Sequence, residues 1–241
     1  MAKNRLNPLV LVPIHKSEST ELESISLRRC GEIFKNRDVA ILSPDNISLD
    51  AYRQFFPTHK RLSIDPFWMS SIRSYNKLMC SPFIWLSLEG YSHVLIHEPD
   101  AFVLSDELDL WCNKNIDYIG SPWLEGWHQA KDDANIIGVG NFGFSLHRLD
   151  FYREFFSTPH GNRWFNYQGN CDLFWCLEVP KYFKINIASF EEALKFAWEA
   201  APKRCLELSG NAMPFGLHAW NRYDQNFIIS FLKENGITLK M

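Results

Sequence analysis

The fold follows from the stretch HVLIHEPDAFVL, which runs from His93 to Leu104. Its first half is an apolar run with β-branched residues, typical of a strand in a sheet covered on both faces. Pro99 ends that run and leaves two carboxylates, Glu98 and Asp100, at the strand end. Ligands of open α/β sheets bind outside the carboxyl ends of the strands, so this acid-x-acid triplet predicts a divalent cation site. A strand-to-turn junction with solvated acids is the alternative, because the triplet is a weak motif.

Length and charge restrict the class of protein. The 241 residues are 46% hydrophobic and 15% aromatic, enough to bury a full core in one large domain or two closely joined halves. The net charge is −3 and no long basic run occurs, which argues against a nucleic-acid-binding protein.

Cysteine use and hydropathy predict a cytoplasmic protein. The six cysteines form no Cys-x-x-Cys pair and follow no secretory signal, so we expect reduced thiols. The apolar run from Leu6 to Ile14 is too short to span a bilayer and is interrupted by prolines, so we interpret it as a core strand. A lumenal protein with paired cysteines and a removed signal peptide is the alternative.

The N-terminal segments predict a β-α-β unit. PLVLVPIHK is interpreted as a first parallel strand and the loop above it, where a nucleotide would contact Pro13 and His15. A helix is expected from about residue 20 to 35, and Asp38 to Pro44 forms the second strand. This order predicts an α/β fold with a parallel sheet and right-handed crossovers.

Helical spacing continues through SSIRSYNKLMCSPFIWLSL, residues 70–88, which Pro82 should kink or divide. Arg73, Asn76 and Lys77 lie just before the central strand. Cations and amides recur wherever phosphate oxygens are bound, so these residues are candidates for contacting a diphosphate. A solvated helical face is the alternative.

A polar stretch from Leu124 to Gly138 contains Trp127 and His128 and is expected to be a mobile or functional loop. Before it, Asp106 is expected to cap a helix, and DYIGSPW is interpreted as a short strand.

VGNFGFSLHR follows, in which Gly140, Asn141 and Gly143 precede an alternating strand. Glycines permit positive φ and close approach of a ligand to the backbone. A tight hairpin turn is the alternative for this segment.

The C-terminal third contributes two candidate residues. Asp172 lies in the first turn of a helix within GNCDLFWCLEV, where it either complements the helix dipole or serves as a base aimed at a cleft. SFEEALKFAWE predicts a capping-box helix with a core stripe that starts at Phe190, and no chemistry is expected of it. His218 lies in the apolar segment MPFGLHAW.

Taken together, these segments resemble a GT-A glycosyltransferase. They are more similar still to a glycosyltransferase-like family of unknown function found in polysaccharide loci. The pieces that carry the resemblance span nearly the whole chain: SLRRC, SYNKLM, HEPDAFVL, YIGSPW, VGNFGFSLHR, NCDLFW, SFEEALKF and PFGLHAW. Two positions depart from the GT-A pattern. The acid-x-acid triplet begins with Glu98 and has a central proline, and Cys171 precedes Asp172 where a Glu-Asp pair is usual.

The resemblance implies a Rossmann-like, mostly parallel central sheet flanked by helices, with a smaller acceptor-side sheet. It divides a single domain into a nucleotide-binding half, residues 1–120, and an acceptor-binding half, residues 121–241. It makes Asp100 and His218 metal ligands, Glu98 a water-mediated ligand, and Asp172 the catalytic acid position.

The chemistry of glycosyl transfer agrees with such a site. A departing diphosphate must be neutralised, and a cation held by a carboxylate and an imidazole does so. Mixed oxygen and nitrogen ligands suit Mn²⁺, with Mg²⁺ as the second choice. Inversion at the anomeric carbon needs one base, for which Asp172 is the candidate. Aromatic faces for sugar rings are expected from Trp123, Trp127 and Trp164.

We therefore expect a hexosyltransferase that uses a UDP-sugar and a glycan or lipid-linked acceptor, with a peripheral contact at the inner face of a membrane. Three alternatives remain: a retaining transferase, an inactive glycan- or nucleotide-binding module, and a nucleotidyltransferase. PIHKSEST lacks the glycines that the last class carries after its first strand.

Overall fold

A computed structural model describes residues 6–239. Its central sheet has six strands in the order β3-β2-β1-β4-β9-β6. Three short strands form a second sheet in the order β10-β11-β5, and β7 pairs with β8. The strands are β1 (Pro8–Pro13), β2 (Asp38–Pro44), β3 (Lys60–Ile64), β4 (His93–His97), β5 (Phe102–Val103), β6 (Tyr118–Ile119), β7 (Pro122–Leu124), β8 (Ile136–Val139), β9 (Phe144–Arg148), β10 (Ala197–Trp198) and β11 (Gly216–Leu217).

Helices cover both faces of the central sheet. They are α1 (Glu21–Ile33), α2 (Ile72–Cys80), α3 (Pro82–Ser87), α4 (Leu108–Cys112), α5 (Leu149–Ser157), α6 (Cys171–Leu173), α7 (Phe190–Phe196), α8 (Pro202–Leu208) and α9 (Gln225–Glu234). A π-helical turn, Phe174–Glu178, continues α6, and short 3₁₀ turns occupy Asp50–Tyr52, Pro66–Met69, Trp127–Gln129, Pro159–Phe165 and Val179–Lys181.

The β-α-β prediction is confirmed. β1 lies between β2 and β4 and pairs with both in parallel, while β9 runs antiparallel to β4. All residues of β1 and β4 are buried, as expected for apolar strands covered by helices on both sides. The mostly parallel sheet with flanking helices and smaller sheets is therefore the predicted fold class.

The small sheet joins the strand-end acids to the C-terminal third of the chain. β5 runs antiparallel to β11, with Phe102 opposite Leu217 and Val103 opposite Gly216. Because β5 begins two residues after Asp100, this pairing draws the 98–100 turn towards the residues that follow β11. The fold thus brings together two segments that are more than 100 residues apart in sequence.

Several local predictions were wrong or incomplete. α7 ends at Phe196, because the chain leaves the helix to pair β10 with β11, and Phe190 is 45% exposed instead of lying in the core. Asp106 precedes the N-cap residue of α4, although its carboxylate accepts from the Leu108 N–H.

DYIGSPW forms two short strands instead of one. The stretch after it is largely a loop with a 3₁₀ turn at Trp127–Gln129, and only its ends pair, in β7 and β8. The turn at 140–143 joins strands of different sheets, so it is not a tight hairpin turn.

Candidate active site

Two carboxylates lie where β4 ends. Glu98 donates its backbone N–H to the Gly143 carbonyl oxygen at 2.8 Å, and Ala101 N–H closes the following turn on the Glu98 carbonyl oxygen at 2.9 Å. Trp220 N–H contacts the Asp100 carbonyl oxygen at 3.3 Å. One backbone bond within the turn and two to other segments therefore fix it, so its side chains project from a rigid edge of the sheet.

His218 reaches both carboxylates. Its Nε2 atom lies 3.5 Å from Glu98 Oε2 and 3.4 Å from Asp100 Oδ1. A Cβ atom at Gly143 would lie only 2.0 Å from that Nε2 atom, so this glycine is needed for the imidazole to approach. One ligand atom from each of Glu98, Asp100 and His218 lies within 4.8 Å of the other two.

Two further polar groups surround the other ring nitrogen of His218. Glu199 Oε1 lies 3.1 Å from Nδ1 and Asn141 Nδ2 lies 2.8 Å from it. Asn141 has a left-handed φ of 64°, and its Oδ1 accepts from the Gly143 N–H at 2.9 Å, which sets the orientation of its amide. The sequence predicted Asn141 but missed Glu199, which directly follows β10 and was assigned to the preceding helix.

Charge pairing shifts the pKa values of these groups. Burial would raise the pKa of Asp100, but His218 and Arg222 lower it to about 2. Burial would lower the pKa of His218, but Asp100, Glu199 and Glu98 raise it well above its usual value. Against the effect of burial, His218 likewise lowers the pKa of Glu199. Without a metal ion, a protonated His218 and Arg222 therefore compensate these carboxylates, and a cation bound at Nε2 would take the place of the His218 proton.

The residues fit a divalent cation by their chemistry. Two carboxylate oxygens and one imidazole nitrogen are ligands that manganese and magnesium sites use, with manganese favoured by the nitrogen. When Nδ1 of His218 carries a proton, Glu199 Oε1 accepts the hydrogen bond from it and the Nε2 lone pair is free and directed at Glu98 and Asp100; the Asn141 amide can donate to Nδ1 only in the other tautomer. A carboxylate behind a ligating histidine is a recurring support of metal sites.

A cleft of about 540 Å³ opens beside this cluster. Glu98, Asp100, His218 and Asp172 line it, and the Trp127 side chain lies on its wall. A second cavity of about 500 Å³ lies on the other side of the acids. Pro13 and His15 line that second cavity, and Glu98, Asp100 and Arg222 line both. The acid cluster thus stands between two spaces, each large enough for part of a nucleotide sugar.

Asp172 reaches the first cleft from the start of α6. Asn76 Oδ1 accepts from the Cys171 N–H at 2.7 Å and so ties the start of α6 to α2. Asp172 Oδ1 accepts from the Leu173 N–H at 2.8 Å. Burial raises the pKa of Asp172, and the charge of Glu199 adds to that rise, whereas the Leu173 bond opposes it. A carboxylate with a raised pKa is a better proton acceptor than a solvated one.

Several predicted contacts lie elsewhere. Lys77 Nζ donates to the carbonyl oxygens of Trp164 at 2.6 Å and Tyr167 at 3.0 Å, and Arg73 donates to Gln168. Lys77 and Arg73 line a smaller cavity of about 300 Å³ and neither of the two beside the acids. Trp164 packs near Lys77 and lines none of these three cavities.

Trp123 and Trp127 form an aromatic wall. Their ring centroids lie 5.1 Å apart, and both residues line the first cleft. A Cβ atom at Gly140 would lie 1.8 Å from the Trp123 ring, so this glycine admits the indole. Trp123 is itself buried, whereas Trp127 remains largely exposed on the hairpin.

The fold is that of the GT-A glycosyltransferases. Mouse xyloside xylosyltransferase 1 in its apo form superposes with a TM-score of 0.54 at 9% identity, covering 88% of this chain and 97% of its own. The galactosyltransferase LgtC, bound to donor and acceptor sugar analogs, superposes with a TM-score of 0.56 at 13% identity, covering 94% and 95%. The bifunctional glycosyltransferase WbbM gives 0.54 at 8% identity, covering 89% of this chain and 46% of its own.

The chain belongs to DUF5672, a family of proteins of unknown function whose model matches residues 59–218. No curated protein matches it by sequence. Within residues 6–239, no helix is both long and apolar enough to span a membrane. All six cysteines are buried and unpaired.

Proposed function

We propose that this protein is a metal-dependent, inverting glycosyltransferase that moves a hexose from a nucleotide sugar to a glycan or lipid-linked acceptor. The observation that carries the proposal is the convergence of Glu98, Asp100 and His218 between two cavities, with Asp172 on the wall of one of them. Neither a simple structural ion pair nor a solvated turn requires flanking spaces of this size.

Asp100, His218 and Glu98 would hold the cation, with Mn²⁺ preferred over Mg²⁺. When bound, such a cation neutralises the negative charge of the departing diphosphate. Arg222 would add to that neutralisation, because its guanidinium lies 3.7 Å from Asp100 and lines both cavities. It is more than half exposed and can follow the diphosphate as its charge develops.

The cavity beside β1 would hold the nucleotide, a uridine diphosphate in our proposal. Pro13 and His15 lie there at the carboxyl end of a parallel strand, the edge at which open α/β sheets bind ligands. The sugar would then lie beyond the acids, under the backbone turn of Gly140, Asn141 and Gly143.

Asp172 would act as the general base. It would accept the proton of the acceptor hydroxyl as that oxygen attacks the anomeric carbon from the face opposite the diphosphate. Asn76 and the Leu173 N–H hold the base in place, so little reorganisation is needed during the reaction. Trp127 offers an apolar face for the acceptor or donor sugar, and the buried Trp123 supports that ring from behind.

A binding screen followed by product analysis tests this function. Nucleotide sugars are added to the protein with Mn²⁺ or with EDTA, and the midpoint of thermal unfolding is measured. We expect one UDP-sugar to raise the midpoint only when the cation is present, and Asp100→Asn to remove that effect. NMR of the transfer or hydrolysis product should then show an inverted anomeric centre.

Absence of any nucleotide-sugar effect in the presence of Mn²⁺ would refute the transferase. Binding without turnover would instead identify an inactive binding module of the same fold. A product with retained configuration would remove Asp172 from the role of base but leave the donor site intact.

A further inference from the structure

Aromatic side chains form a continuous strip on the surface near α2 and α3. The ring centroids of Phe67 and Trp68 are 5.4 Å apart, those of Trp68 and Phe83 5.7 Å, those of Phe83 and Trp164 6.0 Å, and those of Trp164 and Phe165 5.8 Å. We call these five residues the aromatic strip. It joins the Pro66–Met69 turn, α3 and the Pro159–Phe165 turn into one surface.

The strip is exposed at both ends. Phe67 is 63% exposed and Phe165 is 68% exposed, and the central Phe83 is also exposed. Trp68 and Trp164 are half-buried and anchor the strip on the core below α2. Single exposed apolar residues are ordinary, but a linked row of aromatic rings marks a surface that binds something.

Basic residues outnumber acidic ones in the segments that carry the strip, although Asp65 at its edge accepts the Phe67 N–H at 2.8 Å. Between Asp65 and Glu89, and again between Glu154 and Asp172, the chain has no acidic residue. The same two segments contain three basic residues, Arg73, Lys77 and Arg163, in a chain whose net charge is −3. This local reversal of sign gives the strip complementarity to an anionic surface.

Lys77 is fixed close to the rings of the strip. Lys77 Nζ lies 5.2 Å from the centroid of the Trp164 ring while it donates to backbone carbonyl oxygens of the Pro159–Phe165 turn and of Tyr167. Arg163 directly precedes Trp164, but its guanidinium lies on the Tyr182 ring outside the strip, 3.3 Å from that ring's centroid. Lys77 therefore holds the aromatic turn in position and contributes its charge beneath it.

We propose that the aromatic strip is a docking surface for a membrane that contains anionic lipids. Tryptophan and phenylalanine rings partition into the interface between head groups and acyl chains, and neighbouring lysine and arginine residues are attracted to anionic head groups. A protein partner that covers the strip with an apolar surface would not require acidic residues to be absent from both segments.

The strip lies near the second cavity beside the acids. Ser71 lines both the 300 Å³ cavity that Phe67 borders and the 500 Å³ cavity that Pro13 and His15 line. Ile72, which also lines the 500 Å³ cavity, is 81% exposed. If the protein is the transferase proposed above, membrane docking would present the cleft to a lipid-linked acceptor. Docking itself does not depend on that activity.

Vesicle sedimentation tests the docking surface directly. The full chain is mixed with vesicles of phosphatidylcholine alone or of equimolar phosphatidylcholine and phosphatidylglycerol, and the bound fraction is measured. We expect binding to the anionic vesicles, weakened by high salt, and little binding to the neutral ones. Phe67→Ala/Phe165→Ala should lower the apparent partition coefficient by roughly tenfold or more, because both rings lose their buried area.

Leu110→Ala/Ile229→Ala is the matched control, because both side chains are exposed and apolar but lie on α4 and α9. It should bind like the unchanged protein. Equal binding of the phenylalanine variant, or no binding of the unchanged protein to anionic vesicles, would overturn the proposal. Sedimentation velocity that shows a dimer abolished by the phenylalanine variant would overturn it as well and assign the strip to self-association.

Nucleotide-sugar binding, measured in parallel on the same variant, separates this proposal from the proposed function. The phenylalanine variant should retain donor binding, because Phe67 and Phe165 line neither of the cavities beside the acids. Loss of vesicle binding with intact donor binding would support the docking surface whether or not transfer is ever detected.

Discussion

Glu199 Oε1 lies 3.1 Å from His218 Nδ1, on the side of the imidazole opposite Glu98 and Asp100. The imidazole is thus held between carboxylates on both of its nitrogens. If Nδ1 carries the proton, Glu199 accepts it and Nε2 is free to bind a cation. Glu199 would therefore orient a metal ligand without touching the metal itself.

Replacing Glu199 with alanine should weaken Mn²⁺ binding by about 10- to 100-fold, the usual effect of removing such a support. Glu199→Gln should reduce the Mn²⁺ affinity less, because its amide oxygen can still accept a hydrogen bond from the Nδ1 N–H. Free Mn²⁺ measured by electron paramagnetic resonance gives the affinity without any assay of activity. Glu234→Gln, an exposed change on α9, is the control. Unchanged affinity in Glu199→Ala would mean that His218 needs no support from this carboxylate.

Asp172→Asn should lower turnover by a factor on the order of 10² to 10⁴, the range for loss of a general base, while donor affinity changes little. The amide keeps the shape and the bond from the Leu173 N–H but cannot accept the proton. Steady-state rates and calorimetry of donor binding measure the two quantities. Asp150→Asn is the matched control, since Asp150 also lies in the first turn of a helix but is exposed. Near-normal turnover in Asp172→Asn would exclude this residue as the base.

The rate should also depend on pH through Asp172. Its raised pKa means that protonation begins at a higher pH than for a solvated aspartate, and the protonated acid cannot accept a proton. We therefore expect kcat to fall on the acidic side, with an inflection above the ordinary aspartate range. A kcat that stays flat down to the ordinary pKa of aspartate would contradict the assignment.

Buried histidines should make the fold sensitive to acid. Burial lowers the pKa of His93 to about 4 and that of His147 well below its usual value. The unfolded chain binds these protons first, so the free energy of unfolding should fall as the pH drops from about 6.5 towards 4. Each residue contributes on the order of 1.4 kcal/mol per pH unit within that window.

Urea unfolding at several pH values measures this loss. His147 Nε2 lies 2.7 Å from Ser145 Oγ and its Nδ1 atom contacts Tyr152, so His147→Phe should be less stable at neutral pH. The variant should nevertheless show a shallower pH dependence, because one of the titrating groups is gone. An unchanged slope would mean that His147 is not what couples stability to pH.

The sequence predicted the sheet well because its strands carry their own signals. β1, β2 and β4 are apolar runs ended by prolines or polar turns, and the helix between the first two has a capping box at Thr20 and Glu23. Such local patterns persist whatever the tertiary contacts are. The two-residue strands β5 and β10 were not predicted, because only their pairing with β11 defines them, and for the segment MPFGLHAW, which contains β11, the sequence allows a strand or a turn.

The same distinction between local and tertiary signals decides which site residues could be predicted. Glu98 and Asp100 follow a recognisable strand, so their position at its end could be predicted. Glu199 could not be, since its place depends on β10 leaving the helical pattern of α7 to pair with β11. Lys77 and Arg73 resembled phosphate-binding residues in sequence. In the fold, Lys77 donates hydrogen bonds to backbone carbonyl oxygens and Arg73 donates one to Gln168.

The β7-β8 hairpin should close over bound donor. Gly126 and Trp127 both have left-handed φ values, 84° and 52°, which turn the Trp127 ring towards the cleft. The hairpin end is held by His128, whose Nδ1 atom lies 2.5 Å from Tyr223 Oη. A sugar that packs on Trp127 would add contacts to this segment and exclude water from the anomeric carbon.

We therefore expect amides of residues 124–138 to exchange more slowly when a nucleotide sugar and Mn²⁺ are bound. Trp127→Ala should remove most of that added protection and increase hydrolysis of the donor relative to transfer, because water then reaches the cleft. Hydrogen exchange followed by mass spectrometry measures the first effect, and product ratios measure the second. His128→Gln tests whether anchoring to Tyr223 matters separately. Equal exchange with and without ligand would mean that the hairpin is a fixed wall of the cleft and that Trp127 serves only as packing.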